Sequence, residues 1–159
     1  MSRYILVDHE DFSLDAHYQA IRVELGGKLG AIASFVGLVR DRNERAGDGT
    51  EVARLVLEHY PGMTEASMEQ IVIQAEERWP ILASRVVHRV GALMPTDQIV
   101  MVVVASAHRD AAFAAAEFIM DYLKTQAVFW KKERSEDAEQ WLAATDEDRH
   151  RADTWRQTD

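Results

Sequence analysis

Short β-branched runs alternate along this chain with segments of helical period, and this alternation narrows the fold more than any other feature. Residues 4–7, 31–40 (AIASFVGLVR), 52–60, 85–90 and 98–105 (QIVMVVVA) have the composition of strands, and 31–40 is apolar enough for a mostly buried one. Ser13 is placed to cap a helix through Leu14, His17, Ile21 and Leu25, which Gly26-Gly27 ends. Met68, Ile71, Val72, Ala75 and Trp79 recur at three- and four-residue steps in a second helix over 63–79, stopped by Pro80. Ser106 is placed to cap a third, through Phe113, Met120 and Leu123 to about Lys124, before a last strand at 127–132. Strands in series with three helices predict an α+β domain, with a mixed or antiparallel sheet covered on one side by helices.

The chain has 159 residues, 47% of them hydrophobic, enough for a core of its own and one domain over 1–132. The net charge of -9 is uneven: residues 133–159 hold nine acidic and four basic side chains, a net of -5, and read as an acidic tail, helical or partly disordered. A net negative domain without a basic stripe is ill suited to nucleic acid, whose binding rests on phosphate neutralisation. The absence of cysteine excludes a disulfide, a thiolate zinc site and a cysteine nucleophile, so any sulfur chemistry must borrow its sulfur. No stretch has the length of a signal peptide's apolar region or a membrane span, and a cytoplasmic protein is expected.

Chemical groups are densest between Ser106 and Lys132. His108 and Arg109 fall in the first turn of the third helix, where free backbone N–H groups and the helix dipole favour an anion such as phosphate. The plainer reading pairs Arg109 with Asp110 or Glu117 on the surface. Lys124 follows Met120 by four and Phe113 by eleven, which places it on a helix face expected to point toward the core. It either snorkels to water or sits half-buried, where desolvation disfavours its charge and suits it to act as base or nucleophile. Lys131 and Lys132 are adjacent on a strand and point to opposite faces, so only one can join Lys124. His59, His88 and His108 match no ligand spacing, and no metal site is expected. Glu76 and Glu77 read as a solvated face, and neither a Gly-rich phosphate loop nor a nucleophile elbow occurs.

Five separated blocks stand in order: Ser34-Phe35-Val36-Gly37 with Val39-Arg40; Leu57-Glu58-His59-Tyr60-Pro61-Gly62-Met63; His88-Arg89-Val90-Gly91; Ser106-Ala107-His108-Arg109; and Phe118-Ile119-Met120-Asp121-Tyr122-Leu123-Lys124-Thr125 with Phe129-Trp130-Lys131-Lys132-Glu133. With these the chain, from about residue 30 to 132, resembles the large, catalytic subunit of molybdopterin synthase. The resemblance implies an α/β hammerhead-type fold, a homodimer, and a small ubiquitin-like carrier subunit at each end. The carrier's C-terminal Gly-Gly bears a thiocarboxylate. Sulfur would pass from it in two rounds to cyclic pyranopterin monophosphate, giving the dithiolene of molybdopterin with no cofactor of the enzyme's own. Carried onto this sequence, Lys124 is central to catalysis and Lys131 assists. Arg40, His108 and Arg109 hold the substrate, flanked by Leu38, Val39, Lys132 and Glu133, while Phe35 and Met120 line the channel of the carrier tail. Gln126 and Val128 depart from the Arg and Pro that the family commonly shows.

The residue types suit that chemistry, because a cyclic phosphate calls for forked cationic donors and a helix N-terminus. Attack by a thiocarboxylate sulfur and release of the carrier call for proton transfer and charge stabilisation, which lysines can supply. The alternative is a non-catalytic domain that senses an anion or nucleotide in the same basic pocket. A phosphate-ester hydrolase is disfavoured by the lack of a metal-binding carboxylate cluster and of an activated serine or cysteine.

Overall fold

The structure, a computed structural model, describes residues 2–41, 54–127, 129–134, 139–142 and 146–156, and at 129–134, 139–142, 146 and 147 the backbone alone. The expected loop at 41–50 lies, from residue 42 on, outside the described residues.

In chain order, the first sheet is built from β1 (Ser2–Asp8), β2 (Ala31–Leu38), β4 (Ile81–Arg89) and β6 (Gln98–Ser106). They lie side by side as β1-β4-β6-β2, with β1 parallel to β4 and the other pairs antiparallel, so the sheet is mixed. The strand period of two divides β6. Val100, Val102 and Val104 join a core with α2 (Met63–Arg78) and α3 (Arg109–Thr125), while Met101, Val103 and Ala105 pack with Ile21 of α1 (Leu14–Leu25). Helices therefore cover both faces, which corrects the expectation of one-sided cover and explains why β6 is apolar throughout. The 31–40 segment is not mostly buried either: β2 is an edge strand, with Ser34, Phe35 and Leu38 exposed.

Local signals set the helix ends. Ser13 Oγ accepts the Ala16 N–H at 3.2 Å, and Gly26 ends α1 with a positive φ of 54°. At the head of α2 the Glu65 carboxylate reaches back to the Gly62 N–H. Glu76 is not part of a solvated face. Its carboxylate takes two bonds from Arg3 Nε, at 2.7 and 3.0 Å, and Arg3 also reaches Glu69 at 3.2 Å, tying β1 to α2.

A second, antiparallel sheet has the order β5-β3-β7-β8, from β3 (Arg54–His59), β5 (Gly91–Leu93), β7 (Phe129–Arg134) and β8 (Glu139–Leu142). A separate core of Val39, Leu55, Leu57, Val90 and Leu93 joins it to the first sheet, with Val7 and Ile99 packed against it. Beyond residue 132, β8 extends this sheet and α4 (Asp146–Arg156) packs on α3. The Trp155 ring stands edge-on to Trp79 and Phe118, both at 5.6 Å, and its Nε1 donates to Asp121 at 2.7 Å. Among the described residues no helix is long and apolar enough to cross a membrane.

Candidate functional site

The start of α3 is held by a tight junction. Ser106 Oγ donates to the Pro80 carbonyl at 2.8 Å, and the Gly30 N–H donates to the Ser106 carbonyl at 3.1 Å. A Cβ on Gly30 would lie 1.9 Å from the Ala107 carbonyl oxygen, so this crossing admits only glycine. The helix cap is His108, in extended conformation, rather than Ser106, whose hydroxyl is occupied at the junction and accepts the His108 N–H at 3.5 Å. His108 and Arg109 are both exposed.

At the other end of α3 the structure corrects the expectation for Lys124. Ala112, Ala115, Phe118, Ile119 and Leu123 form the buried face, whereas Phe113 is 66% exposed. Lys124 lies eleven residues from Phe113, nearly in line with it on the helix surface, and is likewise exposed in the single copy. Met120 sits at the margin, partly buried against the core.

The antiparallel topology decides which predicted residues meet. β6 runs from Gln98 to Ser106 and α3 returns along it, while β2 runs against β6, with Ala31 opposite Ser106 and Leu38 opposite Gln98. Leu38, Val39 and Arg40 therefore stand at the end of the sheet where α3 finishes with Lys124. β7 begins four residues after α3 ends, and its register sets Lys131 opposite Leu57, Lys132 opposite Val56 and Glu133 opposite Leu55. Val39 is 5% exposed and packs in the core between the sheets, whereas Arg40 is exposed. Alternation puts Phe35 on the α3 face of β2 with Ala31 and Ala33, the layer to which Met120 belongs.

His108 and Arg109 stand apart from this group. Fifteen residues of α3 separate Arg109 from Lys124, about 22 Å along the helix axis at 1.5 Å per residue. The topology thus places Arg40 and Lys124 toward one end of α3, with β7 following in the chain, and His108 and Arg109 at the far end.

The three histidines weighed as metal ligands are dispersed. His88 is buried, with Nδ1 2.8 Å from the Arg89 carbonyl, and His59 lies 3.5 Å from Glu65. Among the described residues no group of three or more His, Cys, Asp or Glu side chains could hold a metal ion. Sequence reasoning missed Thr96 and Asp97, which bond the backbone of Val39: the Val39 N–H donates to the Asp97 carbonyl at 2.9 Å, and the Thr96 N–H donates to the Val39 carbonyl at 2.8 Å. The Pro95-Thr96-Asp97 string is turn composition, but nothing in it indicates which strand the turn would meet.

Comparison with known proteins bears on the family and the fold. The sequence model of the MoaE protein family matches residues 7–126. A molybdopterin synthase catalytic subunit from Vibrio cholerae is 50% identical over 155 residues, covering 98% of this chain and 99% of that one. One from Ralstonia nicotianae is 52% identical over 145 residues, covering 90% and 80%. The solved structure of a molybdopterin biosynthesis MoaE protein from Burkholderia ambifaria superposes with a TM-score of 0.81 at 47% identity, covering 98% and 99%. Likeness in sequence and in fold, over nearly the whole length, places this chain in the MoaE protein family.

Proposed function

We propose that this chain is the catalytic subunit of a molybdopterin synthase, moving sulfur from a thiocarboxylate on the Gly-Gly end of a small ubiquitin-like carrier to cyclic pyranopterin monophosphate. The observation that carries the reading is that β2, ending before Arg40, and α3, with Lys124 in its last turn, both run against β6 in a chain without cysteine, with β7 the next strand. Such a chain has no thiolate with which to hold sulfur, so the sulfur arrives on a partner. The relatives named as catalytic subunits support the same reading. The sensing alternative is not favoured by these relatives.

In this reading Arg40 grips the substrate phosphate through its forked guanidinium. Lys124 serves proton transfer and charge stabilisation where the carrier's terminal carbonyl is attacked and released, and Lys131 assists. Leu38, Lys132 and Glu133 flank the pocket, Val39 acts through its packing, and the carrier tail runs past Phe35 and Met120. The separation of about 22 Å along α3 makes a second copy of the chain the source of the His108 and Arg109 that complete the pocket. A homodimer with a carrier at each end, in the cytoplasm, satisfies that geometry. Cover from the carrier tail and the second copy also supplies the desolvation that the exposed Lys124 lacks in one copy.

The test is incubation of the purified chain with thiocarboxylated carrier and the pterin precursor, followed by detection of the dithiolene product. Product that forms only with all three components supports the reading. Binding of the pterin without any sulfur transfer supports the sensor instead.

A further inference from the structure

Among the described residues Thr96 is the one non-glycine residue with positive φ, at 76°. A β-branched side chain is poorly tolerated there, and such strain persists only where the surroundings impose it. Thr96 occupies the third position of the turn Met94-Pro95-Thr96-Asp97, closed by the Asp97 N–H donating to the Met94 carbonyl at 3.0 Å. Proline second and positive φ third is the pattern of a type II turn, whose third position favours glycine. The Asp97 carboxylate closes the turn a second time, accepting the Met94 N–H at 2.8 Å.

The same turn grips the chain at the end of β2. Between Gly37 and Leu38 the β2–β6 register shifts, from Gly37 opposite Val100 to Leu38 opposite Gln98, so that Ile99 of β6 is a bulge where the regular ladder with β2 ends. Immediately afterwards both backbone polar groups of Val39 are taken by the turn, at 2.9 and 2.8 Å, and its side chain is sunk in the core between the sheets. The next residue is Arg40.

We propose that the Met94–Asp97 turn is a positioning element for Arg40. By holding both sides of the Val39 peptide, it fixes the direction in which the Arg40 backbone leaves the sheet, and so where the guanidinium meets the substrate phosphate. Asp97 and Thr96 act through Arg40 and need not touch substrate. This rests on the reading of Arg40 as a substrate-binding cation and adds the part of the fold that aims it.

The experiment is a double-mutant cycle on the complete system, with saturating thiocarboxylated carrier and varied pterin concentration. Arg40→Ala and Asp97→Ala should each raise KM for the pterin by about tenfold with kcat little changed, the signature of a lost binding contact. The double variant should be no worse than Arg40→Ala. Asp97→Asn, which keeps an acceptor for the Met94 N–H, should restore the wild-type KM, which a merely structural role of the charge would not predict. Where Asp97→Ala does not fold, Pro95→Ala, which only loosens the turn, takes its place in the cycle with a smaller expected rise in KM. An unchanged KM in Arg40→Ala would refute the reading of Arg40 itself. Impairment in Arg40→Ala beside a wild-type KM in the turn variant, or effects that add fully in the double variant, would overturn the positioning proposal alone.

Discussion

The Arg85 guanidinium lies 3.0 Å from Nδ1 of His17 and donates to it, which requires an imidazole with no proton on that nitrogen. Arg85 comes from β4 and also stacks on the Tyr4 ring of β1 at 5.0 Å, and that ring meets His17 edge-on at 5.2 Å. The residues that β6 turns toward α1, Met101, Val103 and Ala105, are apolar. Burial first, and the Arg85 charge second, hold the His17 pKa below its ordinary value. A histidine depressed in the fold takes its proton more readily when unfolded, so this stabilisation is complete above the unfolded pKa and is lost as pH falls through the folded one. The melting temperature should therefore drop between pH 7 and pH 5 by more in the wild type than in His17→Asn, which offers Arg85 an acceptor that does not titrate. Equal slopes in thermal scans across that range would show that the pair does not couple α1 to pH.

Gly30→Ala puts a methyl group into the Ala107 carbonyl at the junction before α3. The backbone on both sides is held by hydrogen bonds and cannot move aside cheaply, so the loss should be about 3 kcal/mol, as for overpacked cores. Urea denaturation reads it directly, and a midpoint equal to that of the wild type would mean that the crossing is looser than the structure has it.

Trp155 anchors α4 through ring contacts with Trp79 and Phe118 and its bond to Asp121. Trp155→Ala should cost about 3 kcal/mol. Asp121→Ala, which leaves the ring in place, should cost about 1 kcal/mol. The order of the two denaturation midpoints is the check, and a larger effect of Asp121→Ala would place the anchor in the hydrogen bond instead of the rings.

Because Lys124 is exposed in the single copy, Lys124→Ala should change stability by less than about 0.5 kcal/mol. If it carries proton transfer, turnover should nonetheless fall by about 100-fold or more. Single-turnover assays beside a thermal melt separate the two, and wild-type turnover would remove Lys124 from the mechanism.

A carrier lengthened by one residue after its terminal glycine would misplace the reacting carbonyl by about 3.3 Å of extended chain. Turnover should then fall about 100-fold while carrier affinity changes little. Parallel binding and product measurements test this, and full activity with the longer tail would rule out an inserted tail of fixed length.

Most of the elements, and the family, were legible in the residues alone. Period-two and period-3.6 patterns, the Ser13 cap, Gly26 and Pro80 mark strands and helices because they reflect local sterics and hydrogen bonding, which act within a few residues. The five blocks identified the family for a related reason: close packing and chemistry constrain residue type at each of those positions. What depended on distant segments was decided by the tertiary structure alone. Helix cover on both faces of the first sheet, the Arg3–Glu76 pair and the outward face of Phe113 and Lys124 depend on which element lies across from which. Sequence periodicity shows that a helix has an apolar face without showing where a residue at its margin ends up. The same holds for the site. Arg40 and Lys124 lie toward the same end of α3 because β2 and α3 both run against β6, and His108 and Arg109 are carried to the other end by the length of α3. Thr96 and Asp97 came to light only in the fold, since a turn's composition encodes its bend and not the Val39 backbone, nearly sixty residues earlier, that it holds.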